Sequence, residues 1–123
     1  MGLNVRVLIV EDDPLVLRLC RCVLERQGCT VLEATNAAEV SGAPVDIAVI
    51  DLVLPGVSGA QVARRLRAEG MTAPIVCVSG YPLSDLPEAD WPHVFSAYFL
   101  AKPFTPAQLV SMIKVALEEA GMR

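Results

Sequence analysis

The chain has 123 residues, 54% of them hydrophobic and 20% charged, with a formal net charge of −4. That length accommodates one apolar core rather than two, and the composition excludes a disordered chain, so residues 1–123 are expected to form a single domain. The acidic balance without a basic run argues against nucleic acid as a direct partner, and no apolar stretch nears the roughly 18 residues of a membrane span.

Residues 5–10 form an apolar run interrupted only by Arg6, as expected of a strand covered on both faces. Glu11-Asp12-Asp13 follows at once, which is incompatible with the core of a signal peptide, and a cytoplasmic location is expected. Asp13-Pro14 reads as an N-cap with proline at the first helical position. The helix runs through Val16, Leu19, Cys20, Val23 and Leu24 and stops at Gly28. Thr30–Ala34 reads as a second strand, and 36–40 as a turn or two of helix before Gly42 and Pro44. Residues 45–50 read as a third strand that delivers Asp51 at its end.

Ser58 and Gln61 form a capping box for a helix that turns Val62 and Leu66 inward and ends at Gly70. Residues 74–78 read as the fourth strand, ending at Ser79-Gly80. Pro82, Pro87 and Pro92 break any long helix between 81 and 96. Residues 97–101 make the fifth strand before Lys102-Pro103. The last helix opens with Thr105, Pro106 and Gln108, a second capping box, and its apolar face is Leu109, Ile113, Ala116, Leu117 and Ala120.

Strands alternating with helical connections predict an α/β fold, a doubly wound five-stranded parallel sheet with helices on both faces. The second and fourth helices are expected to be short or irregular. Two other features read as ordinary surface and core. Arg64, Arg65 and Arg67 lie on the wet side of a helical pattern. Cys20, Cys22, Cys29 and Cys77 lack zinc-site spacing and read as reduced thiols.

Ligand sites in such sheets lie beyond the C-terminal strand ends. The residues there are Glu11, Asp12 and Asp13 after the first strand, Asp51 after the third, Ser79 after the fourth and Lys102 after the fifth. In a flavodoxin-like strand order, 2-1-3-4-5, the first and third strands are neighbours and their carboxylates converge. Crowded carboxylates repel, and a hard divalent cation with oxygen ligands, Mg²⁺ where a phosphoryl group takes part, resolves that repulsion. Taken singly, Asp13 reads as an N-cap or a ligand, Asp51 as a loop cap or a nucleophile, Ser79 as a turn residue and Lys102 as a surface lysine. Their common position at one sheet edge favours the active-site reading.

With Val-Glu-Asp-Asp-Pro at 10–14, Asp51 followed by Pro55-Gly56 and Gly59, Ser79-Gly80, and Lys102-Pro103-Phe104, the chain resembles the receiver domains of bacterial response regulators, of the single-domain chemotaxis-regulator kind. The resemblance implies that Asp51 is the phosphoacceptor. It makes Glu11 and Asp12 the acidic pair of a Mg²⁺ site, with Asp12 the direct ligand and the backbone carbonyl of Val53 completing the shell. It makes Ser79 the switch hydroxyl, Lys102 the lysine that contacts the phosphoryl group, and Phe99 the aromatic whose inward swing reports phosphorylation. It also implies a cis bond before Pro103. The implied partners are a sensor histidine kinase or phosphotransfer protein and an unidentified downstream protein. The chain is either a receiver alone or a piece of a hybrid kinase.

Three alternatives stand beside this reading. A binding-only pseudo-receiver predicts loss of a pocket residue, yet all are present. An aspartyl-phosphate hydrolase needs an acid two residues after the nucleophile, where this chain has Val53. An electron carrier of flavodoxin type needs a glycine- and hydroxyl-rich first loop, where this chain has Glu-Asp-Asp.

Overall fold

The computed structural model describes residues 2–35, 44–80 and 98–121. Strands β1 (Arg6–Val10), β2 (Thr30–Ala34), β3 (Ile47–Asp51), β6 (Ile75–Ser79) and β7 (Tyr98–Ala101) form one sheet in the order β2-β1-β3-β6-β7, every pair parallel. Counting these five alone, this is the predicted 2-1-3-4-5. Two strands the sequence did not reveal, β4 (Val53–Leu54) and β5 (Val57–Ser58), make an antiparallel hairpin after Asp51. The expected helices at 36–40 and within 81–96 fall outside the described residues.

Strand residues alternate between two cores, as the period of two requires. Val7, Ile9, Ile47, Val49, Val76 and Val78 face helices α1 (Pro14–Arg26) and α3 (Pro106–Glu119). Leu8, Val10, Ala48, Ile50, Ile75 and Cys77 face helix α2 (Gly59–Ala68). The central strands β3 and β6 are buried along their whole length, which explains their apolar sequence up to the final Asp51 and Ser79. Ile113 of α3 is wholly buried, and its truncation to alanine would cost about 2–5 kcal/mol.

The helix ends follow the expected chemistry. Asp13 Oδ1 accepts from the amide of Leu15 at 2.9 Å, Pro14 opens α1, and Gly28 at φ 86° closes it. Both capping boxes form, Ser58 with Gln61 and Thr105 with Gln108.

Three surface assignments need correction. In α1 the buried stripe is Leu17, Cys20 and Leu24, whereas Leu19 is 42% exposed. Apolar residues cover so much of this helix that periodicity alone does not choose between adjacent stripes. Ala120 is exposed at the C-cap of α3, beyond the reach of the sheet. Arg67 is half-buried and donates from Nη1 to the carbonyls of Met71 (2.9 Å) and Ala73 (2.7 Å), so it ties down the chain after α2 instead of only facing water.

Candidate functional site

Parallel pairing brings the strand ends level. Val10 stands beside Ile50, Asp51 beside Val78, and Ser79 beside Ala101. Glu11 and Asp12 therefore leave the sheet next to Asp51, with Ser79 and Lys102 on its other side. The amide of Lys102 donates to the carbonyl of Ser79 at 2.9 Å, which carries the ladder to the edge of the pocket.

The geometry is compact. Lys102 Nζ lies 2.7 Å from Glu11 Oε1 and 2.7 Å from Asp51 Oδ2. Asp51 Oδ1 accepts from the amide of Val53 at 2.9 Å, so the loop-capping and functional readings of Asp51 describe the same carboxylate. Glu11 Oε2 faces the amide of Asp13 at 3.3 Å, while the side chain of Asp13 is committed to α1 as its cap. Glu11, Asp51 and Ser79 are buried, whereas Asp12 is exposed. Val53 is 48% exposed and offers no acid at that position. Phe99 is half-buried against the core beneath α2, and the Lys102–Pro103 bond is cis as expected.

Burial pushes the Glu11 carboxyl up to about 7, and hydrogen bonding with Asp51 adds to that rise against the opposing pull of Lys102. Burial alone would lower Lys102, but its hydrogen bonds to Asp51 and Glu11 outweigh this and raise it, so the ammonium stays charged. Burial pushes the Cys20 thiol up to about 11 and raises Cys29 and Cys77 as well, which keeps all three as unreactive thiols.

One oxygen from each of Glu11, Asp12 and Asp51 lies within 4.8 Å of the others. Two oxygens that share one hard cation are at most twice the metal–oxygen distance apart, about 4.2 Å for Mg²⁺ and about 5.2 Å for Ca²⁺, so the cluster has the dimensions of a divalent-cation site with little further closure. Charge argues the same way. Glu11 and Asp51 share the Lys102 ammonium, Asp12 adds a third carboxylate to the cluster, and a dication would offset the excess of negative charge.

Comparison with known proteins gives the class. The model of the response regulator receiver domain matches residues 7–114. The phosphate regulon transcriptional regulatory protein PhoB of Pseudomonas aeruginosa is 31% identical over 94% of this chain and 52% of its own length. The transcriptional regulatory protein ResD of Bacillus subtilis is 31% identical over 94% of this chain and 49% of its own length. Among solved structures, a CheY-like receiver domain protein from Methanospirillum hungatei is similar at a TM-score of 0.82 and 26% identity, covering 93% of this chain and 94% of that one. A LuxR-family two-component response regulator from Aurantimonas matches at 0.78 and 30% identity, covering 97% and 87%. The chain belongs to the response regulator receiver domain family of two-component systems. It spans about half the length of the curated relatives it matches.

Proposed function

We propose that residues 1–123 form one receiver domain that accepts a phosphoryl group on Asp51 with Mg²⁺ held by Glu11, Asp12, Asp51 and the backbone carbonyl of Val53. The observation that carries this reading is the bridge from Glu11 through Lys102 to Asp51, which holds a buried carboxylate beside a cation at the ligand-binding edge of the sheet.

The donor is a phosphohistidine of a histidine kinase or phosphotransfer protein. A carboxylate oxygen of Asp51 forms the new O–P bond as the N–P bond of the donor breaks, and the electron pair leaves with the imidazole nitrogen. The Val53 amide fixes the rotation of the Asp51 carboxylate. Lys102 releases that carboxylate and follows charge onto a phosphoryl oxygen, while Ser79 donates its hydroxyl to another. Bound Mg²⁺ would supply charge neutralisation on the transferring phosphoryl oxygens. The occupied Ser79 draws Phe99 inward, and an unidentified downstream protein reads the altered surface.

The domain catalyses only its own phosphorylation and dephosphorylation. An apolar groove lined by Val16, Leu19, Pro103 and Phe104 reaches Lys102 and gives a protein donor a surface to rest on. No described helix is long and apolar enough to cross a membrane, in keeping with a cytoplasmic domain. The acidic net charge supports no nucleic-acid contact by these residues, whatever the rest of a longer regulator binds. Intact mass after incubation with acetyl phosphate tests the reading. One added phosphoryl group that requires Mg²⁺ is expected, and no gain by folded protein from acetyl phosphate or a phosphohistidine donor would contradict it.

A further inference from the structure

Among the described glycines, Gly2 and Gly59 are kept bare by space rather than by φ, Gly2 against the Gln27 carbonyl and Gly59 at the pocket. Gly56 (φ 73°) and Gly70 (φ 97°) sit in the left-handed region with open space around them, which is the ordinary use of glycine in turns. Gly59 opens α2 at a φ outside that region, so its backbone suits any residue, and alanine would be the better helix former. What excludes a side chain there is space. A Cβ on Gly59 would fall 2.1 Å from the carbonyl oxygen of Asp51, 2.8 Å from Leu52 Cα and 2.9 Å from the carbonyl carbon of Asp51. All three are backbone atoms of the segment that carries the phosphoacceptor, and none is the yielding tip of a side chain.

The same segment is tied on both sides. The Leu52 amide donates to the carbonyl of Val78 at 2.9 Å, and the Gly59 amide donates to the carbonyl of Leu52 at 3.0 Å. Val53, whose amide holds Asp51 Oδ1, is paired with Ser58, the residue before Gly59. The first turn of α2 thus presses directly on the peptide that sets the aim of the carboxylate. Any side chain at 59 must displace that peptide or the helix by about 1 Å, and a misplacement of that order costs on the order of 100-fold in rate.

We propose that Gly59 is a positioning residue for phosphoryl transfer: its bare Cα lets α2 seat against the Asp51 backbone, and this seating sets the orientation of the Asp51 carboxylate and of Val53. The proposal rests on Asp51 being the phosphoacceptor.

The test compares wild type, Gly59→Ala, Ser58→Ala and Val62→Ala for melting temperature, Mg²⁺-induced thermal shift and rate of phosphoryl uptake from acetyl phosphate. Val62→Ala is the control for stability loss, since Val62 is buried on the inward side of the same helix. Ser58→Ala loosens the same first turn by removing the acceptor for the Gln61 amide, and is the milder probe should Gly59→Ala fail to fold. Expected are about 100-fold slower uptake and a diminished Mg²⁺ shift in Gly59→Ala, about fivefold slower uptake in Ser58→Ala, and uptake within threefold of wild type in Val62→Ala. Folded Gly59→Ala with uptake and Mg²⁺ shift no more affected than in Val62→Ala would overturn the proposal. So would unchanged uptake in Ser58→Ala if Gly59→Ala does not fold. Absence of uptake by the wild type would instead strike the phosphoacceptor reading.

Discussion

Two of the strand ends that feed the pocket lead into helices that open with a capping box of the same type. After β3, Asp51 is buried, its Oδ1 is held by the Val53 amide, and the following hairpin folds back so that α2 seats on its backbone. After β7, Lys102 projects a longer side chain that is 23% exposed, and the turn beyond it lines an open apolar groove. On the proposed function the first junction immobilises the nucleophile, and the second supplies a charge able to move from carboxylate to phosphoryl oxygen. Preorganisation belongs on the atom that attacks, and freedom on the group that follows the charge.

Asp51→Asn breaks the comparison most severely. It keeps the shape but removes the nucleophile, and intact mass after acetyl phosphate and Mg²⁺ should reveal no phosphoryl gain. Lys102→Ala probes the other junction. Without metal it leaves Glu11 and Asp51 with no counter-ion, and urea unfolding in a chelator should reveal a loss of roughly 1.5–3 kcal/mol, toward the lower end because the ammonium is partly exposed. Mg²⁺ should stabilise this variant more than wild type. Phosphoryl uptake should suffer less than binding of the downstream protein, and equal loss of both would mean that Lys102 acts in the chemistry alone.

The Glu11 carboxyl sharpens the picture through pH. Its proton is held to about 7 in the folded chain against 4.5 ordinarily, so between those values the folded state binds more protons than the unfolded one. Stability of the metal-free protein should therefore fall as pH rises through that window, by at most about 1.4 kcal/mol per unit. The raised Lys102 stays protonated throughout and adds no slope there. On the proposed ligand set Mg²⁺ takes the ionised Glu11 carboxylate, so its thermal shift should grow over the same range. A Mg²⁺ shift independent of pH would remove Glu11 from the metal site. The smallest effect separates the caps. Ser58→Ala and Thr105→Ala should each cost about 1 kcal/mol, but Thr105→Ala should leave uptake from acetyl phosphate within twofold of wild type.

Much of this arrangement is legible in the sequence because it rests on local chemistry. Asp13-Pro14, Ser58 with Gln61 and Thr105 with Gln108 mark helix starts by hydrogen-bonding rules that need no tertiary context. The apolar runs before Glu11, Asp51 and Ser79 mark buried parallel strands, and the fold's topology then places those polar ends together. What escapes depends on distance rather than pattern. Two-residue strands such as β4 and β5 carry no periodicity. The choice of Leu17 over Leu19 as the buried residue is made by where the sheet lies. Arg67 is set by carbonyls that its own helix does not supply, and the tight seat of Gly59 on Asp51 exists only once both segments are folded.

The most direct test of the account is the position of the phosphoryl group itself. Wild-type protein treated with acetyl phosphate and Mg²⁺ is reduced with borohydride, which converts an aspartyl phosphate to homoserine, and its peptides are then sequenced by mass spectrometry. Homoserine at position 51 alone is the predicted result. Unmodified Asp51, with the label at another carboxylate such as Asp12 or Glu11, would contradict it.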